Sequence, residues 1–105
     1  VCVAVECDGA RLVFTGDTNE NPLLELFADG ADLLLADAGL DDGVWKPQSP
    51  HLSAGMCGKL AAACRARRLL LTHINPLADP DKLLEQARRG FPGAEIAQPG
   101  ERYAV

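Results

Sequence analysis

Short apolar runs alternate with polar breaks along this chain, and the spacing of apolar positions shifts between a period of two and one near 3.6. Residues 1–7 alternate well enough for a strand, Asp8 and Gly9 supply a tight turn, and residues 11–15 return as the partner, which predicts an antiparallel hairpin. Asn21-Pro22 has the chemistry of a helix start, because Asn caps and Pro is tolerated in the first turn. Leu23, Leu24, Leu26 and Phe27 supply the apolar side of that helix, and Gly30 is placed to end it in the left-handed conformation. Residues 31–36 are apolar through their centre and too few for a helix, so they predict a buried strand that ends at Asp37. Residues 41–50 gather turn-forming residues around the lone Trp45 and predict a surface loop. Ser53 caps a helix running to about Arg67, with Cys57, Leu60, Ala61 and Cys64 at helical spacing. A strand at 69–72 follows, and Asp79-Pro80 opens a third helix through Leu83, Leu84 and Ala87 that Gly90 stops. The tail reads as two short strands, 94–97 and 102–105, around Pro99-Gly100. The order ββαβαβαββ predicts a layered α/β domain with right-handed crossovers.

The chain has 105 residues, enough for one small domain with a modest core, and shows no repeat, linker or low-complexity segment. A net charge of −5 argues against a nucleic-acid footprint spread over the whole surface. Arg65, Arg67 and Arg68 leave two readings open, a local basic patch or a solvated helix end with cations at the negative pole of the helix. No apolar run approaches the ~20 residues that span a bilayer. The first seven residues lack the basic start and long apolar stretch of a signal peptide, so a cytoplasmic protein without membrane contact is expected. A chain that opens directly on a strand pattern without Met is expected to be a partial one. Its four cysteines, at 2, 7, 57 and 64, form no C-x-x-C pair, which argues against a zinc knuckle. Cys57 and Cys64 share the apolar face of the second helix and read as buried small hydrophobes. No G-x-G-x-x-G or P-loop is present, which weakens a nucleotide-binding or oxidoreductase reading.

The candidate chemistry lies where strands stop. The run Leu12, Val13, Phe14 ends in Thr15, Gly16 and Asp17, and the run Leu69 to Leu71 ends in Thr72 and His73. In open α/β folds, residues just beyond strand ends form the working edge. Asp37, at the end of the 31–36 run, and His51, before the Ser53 helix, complete a set of four. Asp17 and His73 are the oxygen and nitrogen ligand types that a divalent metal accepts. Each also has a plain structural reading. Asp17 can be a turn residue bonded to the backbone of Thr18 or Asn19, and His73 a core-edge histidine bonded to a carbonyl.

Taken together, these stretches resemble a known family. Thr15-Gly16-Asp17-Thr18, the run from Ala31 to Asp37, His51-Leu52-Ser53-Ala54 leading into a helix, Leu70 to His73, Phe91-Pro92-Gly93 and the Pro99-Gly100 turn occur in the order seen in the C-terminal half of the metallo-β-lactamase fold. The similarity is greatest to its ribonuclease Z and phosphodiesterase-like branch, and it covers essentially the whole chain. The resemblance implies half of an αββα sandwich, one mixed sheet with about three helices, with residues 1–105 as a single partial domain. It implies that Asp17 and His73 are metal ligands, Asp17 bridging two ions. It also implies that His51 helps transfer a proton to the leaving group, with Asp37 where the branch has a glutamate. That branch has a histidine before its glutamate, where this chain has Ala36, which weakens the case for tRNA processing but leaves metal-dependent hydrolysis as a class.

The family's H-x-H-x-D-H motif, which supplies most ligands, has no counterpart among the two histidines of this chain. The expected function is therefore that of a fragment of a metal-dependent hydrolase acting on a phosphodiester or related ester through a binuclear site. The ion would be zinc, with manganese and iron also suited to these ligands. With two ligands in hand, the fragment is expected to bind it weakly, not to retain it, and to be inactive alone. Its expected partners are the missing N-terminal half or a second copy of itself, and in the full-length protein a small-molecule or nucleic-acid phosphodiester. The rival expectation is a non-catalytic binding or assembly module that keeps the fold without the metal chemistry.

Overall fold

A computed structural model describes residues 2–105. The elements follow one another as β1 (Val3–Cys7), β2 (Ala10–Phe14), α1 (Pro22–Ala28), β3 (Leu33–Asp37), α2 (Ala54–Ala63), β4 (Leu69–Thr72), α3 (Pro80–Gly90) and β5 (Glu95–Ile96). The strands make one mixed sheet in the spatial order β1-β2-β3-β4-β5. β1 and β2 are antiparallel, and the remaining neighbours are parallel. The hairpin turn is the two-residue type that matches strand twist, with Asp8 at φ 51° and Gly9 at φ 82°. Val1, the first residue of the expected opening strand, lies outside the described residues.

Each helix starts on the residue whose side chain can take over a free backbone N–H. Asn21 accepts from Leu23 at 2.9 Å, Ser53 from Met56 at 3.3 Å and Asp79 from Asp81 at 3.0 Å. Gly30 takes φ 69° after α1, as its position requires. The buried apolar side chains of all three helices join one core cluster with Val13, Leu34, Ala36, Leu69 and Leu71, so the helices share one face of the sheet. The register places Val3, Val5, Leu12, Phe14, Leu33, Leu35 and Leu70 on the other face. There Leu33 and Leu70 are buried, Leu12, Phe14 and Leu35 are half-buried, and Val3 and Val5 are exposed. No helix among the described residues covers that face. None is long and apolar enough to cross a membrane.

The structure corrects four expectations. α2 stops at Ala63 rather than near Arg67, because Arg65 adopts φ 58° and the amides of Arg65 and Ala66 fold back onto the carbonyls of Ala62 and Ala61. This is a glycine-type helix stop made by an arginine, so no glycine marked it. The three arginines therefore lie beyond the helix, and each pairs with a carboxylate: Arg65 with Asp29, Arg67 with Asp32 and Arg68 with Glu95. The expected last strand at 102–105 is absent. Gln98 and Glu101 close a turn, and Tyr103 lies under the Arg68 guanidinium instead of pairing with the sheet. On α1 the buried residues are Leu24 and Ala28, whereas Leu23 and Leu26 face solvent. β3 begins two residues later than the apolar run, at Leu33.

Candidate functional site

Three parallel strands deliver three of the four candidate residues to one edge. Asp17 follows β2, Asp37 ends β3 and His73 follows β4, so Asp37 stands on the strand between the other two. The fourth, His51, arrives from the loop before α2, held by the Ser53 cap and by a bridge between Leu40 and Ser53. One ligand atom from each of the four residues lies within 4.8 Å of the others.

The geometry is specific. His51 Nδ1 lies 2.6 Å from Asp37 Oδ2, and His73 Nδ1 lies 3.2 Å from both Asp17 Oδ1 and Asp37 Oδ1. The two imidazole rings are nearly perpendicular, with centroids 5.0 Å apart. Burial grades across the site: the Asp37 side chain is 1% exposed, His51 24%, His73 53% and Asp17 67%. A buried carboxylate is thus flanked by two imidazoles, with the open side at Asp17 and His73. Among the described residues, no Lys or Arg forms an ion pair with Asp17 or Asp37.

Residues that sequence reading did not assign to the site hold Asp37 in place. The buried Thr15 hydroxyl accepts the Asp37 amide at 3.0 Å, Gly39 donates its amide to Asp37 Oδ1 at 3.0 Å, and Cys57 donates its thiol to the Asp37 carbonyl at 3.3 Å. Burial pushes the Cys57 thiol up, with the charges of Asp37 and Asp42 adding to it, so the sulfur acts as a neutral donor rather than a thiolate ligand. A side chain at Gly39 would bring its Cβ to 3.2 Å from Asp37 Oδ1 and 3.5 Å from His51 Cγ, so the position keeps room for both. Gln86, buried on α3, accepts the Asp42 amide and donates to Asp41, tying the 41–44 turn to the helices. The signal for it was a polar residue on the α3 face that carries Leu83 and Ala87. His73 has φ 60°, a left-handed conformation costing a non-glycine residue ~1–2 kcal/mol, which aims its ring back over the strand ends.

Two imidazoles and two carboxylates are nitrogen and oxygen donors of the kind that zinc, manganese and iron accept. The donor set therefore fits a divalent cation, and the same groups can hold and pass protons.

The model of the beta-lactamase superfamily domain family matches residues 1–74. A ribonuclease Z of Myxococcus xanthus is 38% identical over 97 residues, which cover 88% of this chain and 32% of that protein. An uncharacterized protein of Mycobacterium leprae is 38% identical over 85 residues, 81% of this chain and 30% of its own length. The crystal structure of the metallo-beta-lactamase fold protein YhfI from Bacillus subtilis superposes with a TM-score of 0.89 at 25% identity, over 95% of this chain and 41% of that one. The chain spans about a third of the length of these curated relatives.

Proposed function

Because the chain belongs to the beta-lactamase superfamily domain family, we propose that it is the C-terminal part of a metal-dependent hydrolase acting on a phosphodiester or related ester through a binuclear metal centre. Residues 1–105 are on this reading a single partial domain, and the rest of the fold supplies the remaining ligands. The observation that carries the proposal is the convergence of Asp17, Asp37, His51 and His73 within 4.8 Å at the ends of adjacent parallel strands. The ribonuclease Z name of one relative favours a nucleic-acid phosphodiester over a small-molecule one. The fold implies a divalent metal, and zinc is the ion we assign. Bound there, it would supply activated water and charge neutralisation at the scissile group.

The chain's own residues divide the remaining work. Asp17 and His73, the more exposed pair, donate one oxygen and one nitrogen to the centre. His51 bonds through Nδ1 to Asp37 Oδ2, which on this reading fixes its tautomer and leaves Nε2 for the substrate. From there Nε2 delivers a proton to the leaving oxygen, and Asp37 steadies the charged imidazole before that transfer. The uncovered sheet face carrying Val3, Val5, Leu12 and Phe14 receives the other layer of the sandwich, or a second copy when that layer is missing.

The test is hydrolysis of bis(4-nitrophenyl) phosphate by a protein carrying both halves of the fold. Activity should vanish on chelation, return with zinc or manganese, and be lost in Asp17→Ala and His73→Ala. Full activity in both variants would end the proposal.

A further inference from the structure

His51 reaches the site at the end of a long loop that is fastened unevenly along its length. The first half is tied to the helices. Gln86 of α3 bonds both the Asp41 carboxylate and the Asp42 amide, and Asp42 accepts the Gly55 amide of α2 at 2.8 Å. Residues 45–50, the stretch that leads to His51, have no such bond to a helix. Lys46 and Ser49 close a turn on each other, at 3.0 and 2.9 Å. Among the described residues, the one partner outside the loop that hydrogen-bonds to this stretch is Asn19. Packing does not take the place of the missing bonds. A cleft of about 740 Å³ lies between this part of the loop, α1 and α2, bordered by Trp45, Pro47, Leu24, Met56 and Leu60.

Asn19 stands two residues after Asp17, and both ends of its amide are engaged. Oδ1 accepts the Trp45 indole N–H at 2.9 Å and the Glu20 amide at 2.7 Å, while Nδ2 donates to the Pro47 carbonyl at 2.8 Å. Two donors on one side and a carbonyl on the other fix which way the amide points. An aspartate of the same shape would set an oxygen against the Pro47 carbonyl. The amide thus fastens two points of the loop, six and four residues before His51, to the segment that carries Asp17. Asp37 Oδ2 holds the His51 ring at 2.6 Å, and Asn19 holds the chain that delivers that ring.

We propose that Asn19 is a positioning residue for proton delivery, setting where His51 stands relative to Asp17 and hence to the leaving oxygen. The inference rests on the proposed role of His51 as proton donor and adds the device that registers it against the cleavage centre. A group that transfers a proton must lie within hydrogen-bond reach of the oxygen it serves. A loop released into the cleft therefore costs the transfer while Asp17 and His73 stay where they are.

The test compares a dinucleoside monophosphate, whose leaving group is an alkoxide, with bis(4-nitrophenyl) phosphate, in a protein carrying both halves of the fold. Asn19→Ala should slow the first about 10–10²-fold and the second little, with bound metal unchanged. Trp45→Phe removes the indole N–H and keeps the contact between Asn19 and Glu20, so a shift of Asp17 cannot account for its effect. It should show a smaller loss with the same selectivity. Hydrogen–deuterium exchange over residues 44–51 should quicken in both variants. A general loss of folded protein would instead slow both esters equally. Should Asn19→Ala not fold, Trp45→Phe decides. Equal slowing of both esters, slowing of neither, or unaltered exchange would overturn the inference. If His51→Ala alone shows the selective loss, the proposed function stands without it; if His51→Ala shows none, both fall.

Discussion

Gly58 is where packing and helix propensity make opposite demands, and their sizes can be compared. The glycine lies in α2 against α3, and a Cβ added there would overlap the Ala87 carbonyl oxygen and stand 3.0 Å from the Ala87 carbonyl carbon. From the other side, a Cβ at Gly90 would stand 2.8 Å from the Gly58 carbonyl carbon and 2.9 Å from the Lys59 amide nitrogen. The obstacle in each case is backbone, not a side chain that can turn away. The Ala87 carbonyl also accepts the Phe91 amide at 3.0 Å, so moving it strains the end of α3. Overpacking of this kind costs ~1–3 kcal/mol, and rigid backbone puts it at the upper end. Alanine gains ~1 kcal/mol over glycine in a helix interior. Sterics therefore win, and Gly58→Ala should destabilise by about 2 kcal/mol. With a urea slope of about 1–2 kcal/mol per molar, the midpoint should fall by ~1–2 M. Exposed Ala62→Gly is the control, losing only the ~1 kcal/mol of propensity. A Gly58→Ala chain that melts at or above the unsubstituted midpoint would show that the helices are not in backbone contact.

Three other outcomes follow from the same geometry. In the isolated chain without metal, Asp17→Ala and His73→Ala should each change stability by no more than about 1 kcal/mol in urea melts, since their ion pair is more than half exposed; a loss of several kcal/mol would assign both residues to structure. Sedimentation at rising concentration should reveal self-association, and Val3→Lys with Val5→Lys should suppress it; a chain monomeric throughout would show that the second sheet face needs no cover. The Gly43 amide, followed by Lys82 and Gln86, holds the Asp41 carboxyl below its usual range against a smaller opposing effect of burial. Its contribution is full above the unfolded pKa and is lost as pH falls through the lowered folded one, so Asp41→Asn should flatten the acid limb of the stability profile.

The sequence disclosed most of the scaffold and only part of the site. Asn21, Ser53 and Asp79 marked all three helix starts because capping depends on local chemistry. The end of α2 went unseen because Arg65, a residue with no preference for positive φ, makes the turn. The tail failed as a strand because alternation at 102–105 says nothing about whether a sheet edge is within reach. At the site, all four residues were legible, Asp17, Asp37 and His73 at the ends of apolar runs and His51 before a helix. Which atoms meet was not, because that depends on β3 lying between β2 and β4, and strand order is a tertiary property. Thr15 escaped for the same reason, since its bond to Asp37 crosses from one strand to the next.

The central claim is that the four side chains form one hydrolytic centre, in which His51 gives a proton to the group that leaves. The direct measurement is the rate of phosphodiester cleavage against leaving-group pKa, for a protein carrying both halves of the fold and its His51→Ala variant. With His51 in place, the rate should depend weakly on the leaving group. In His51→Ala, esters with alkoxide leaving groups should slow by about 10²–10⁴-fold, while 4-nitrophenyl esters, whose leaving group needs no proton, should slow little. An equal loss for both kinds of ester, or none for either, would contradict the account.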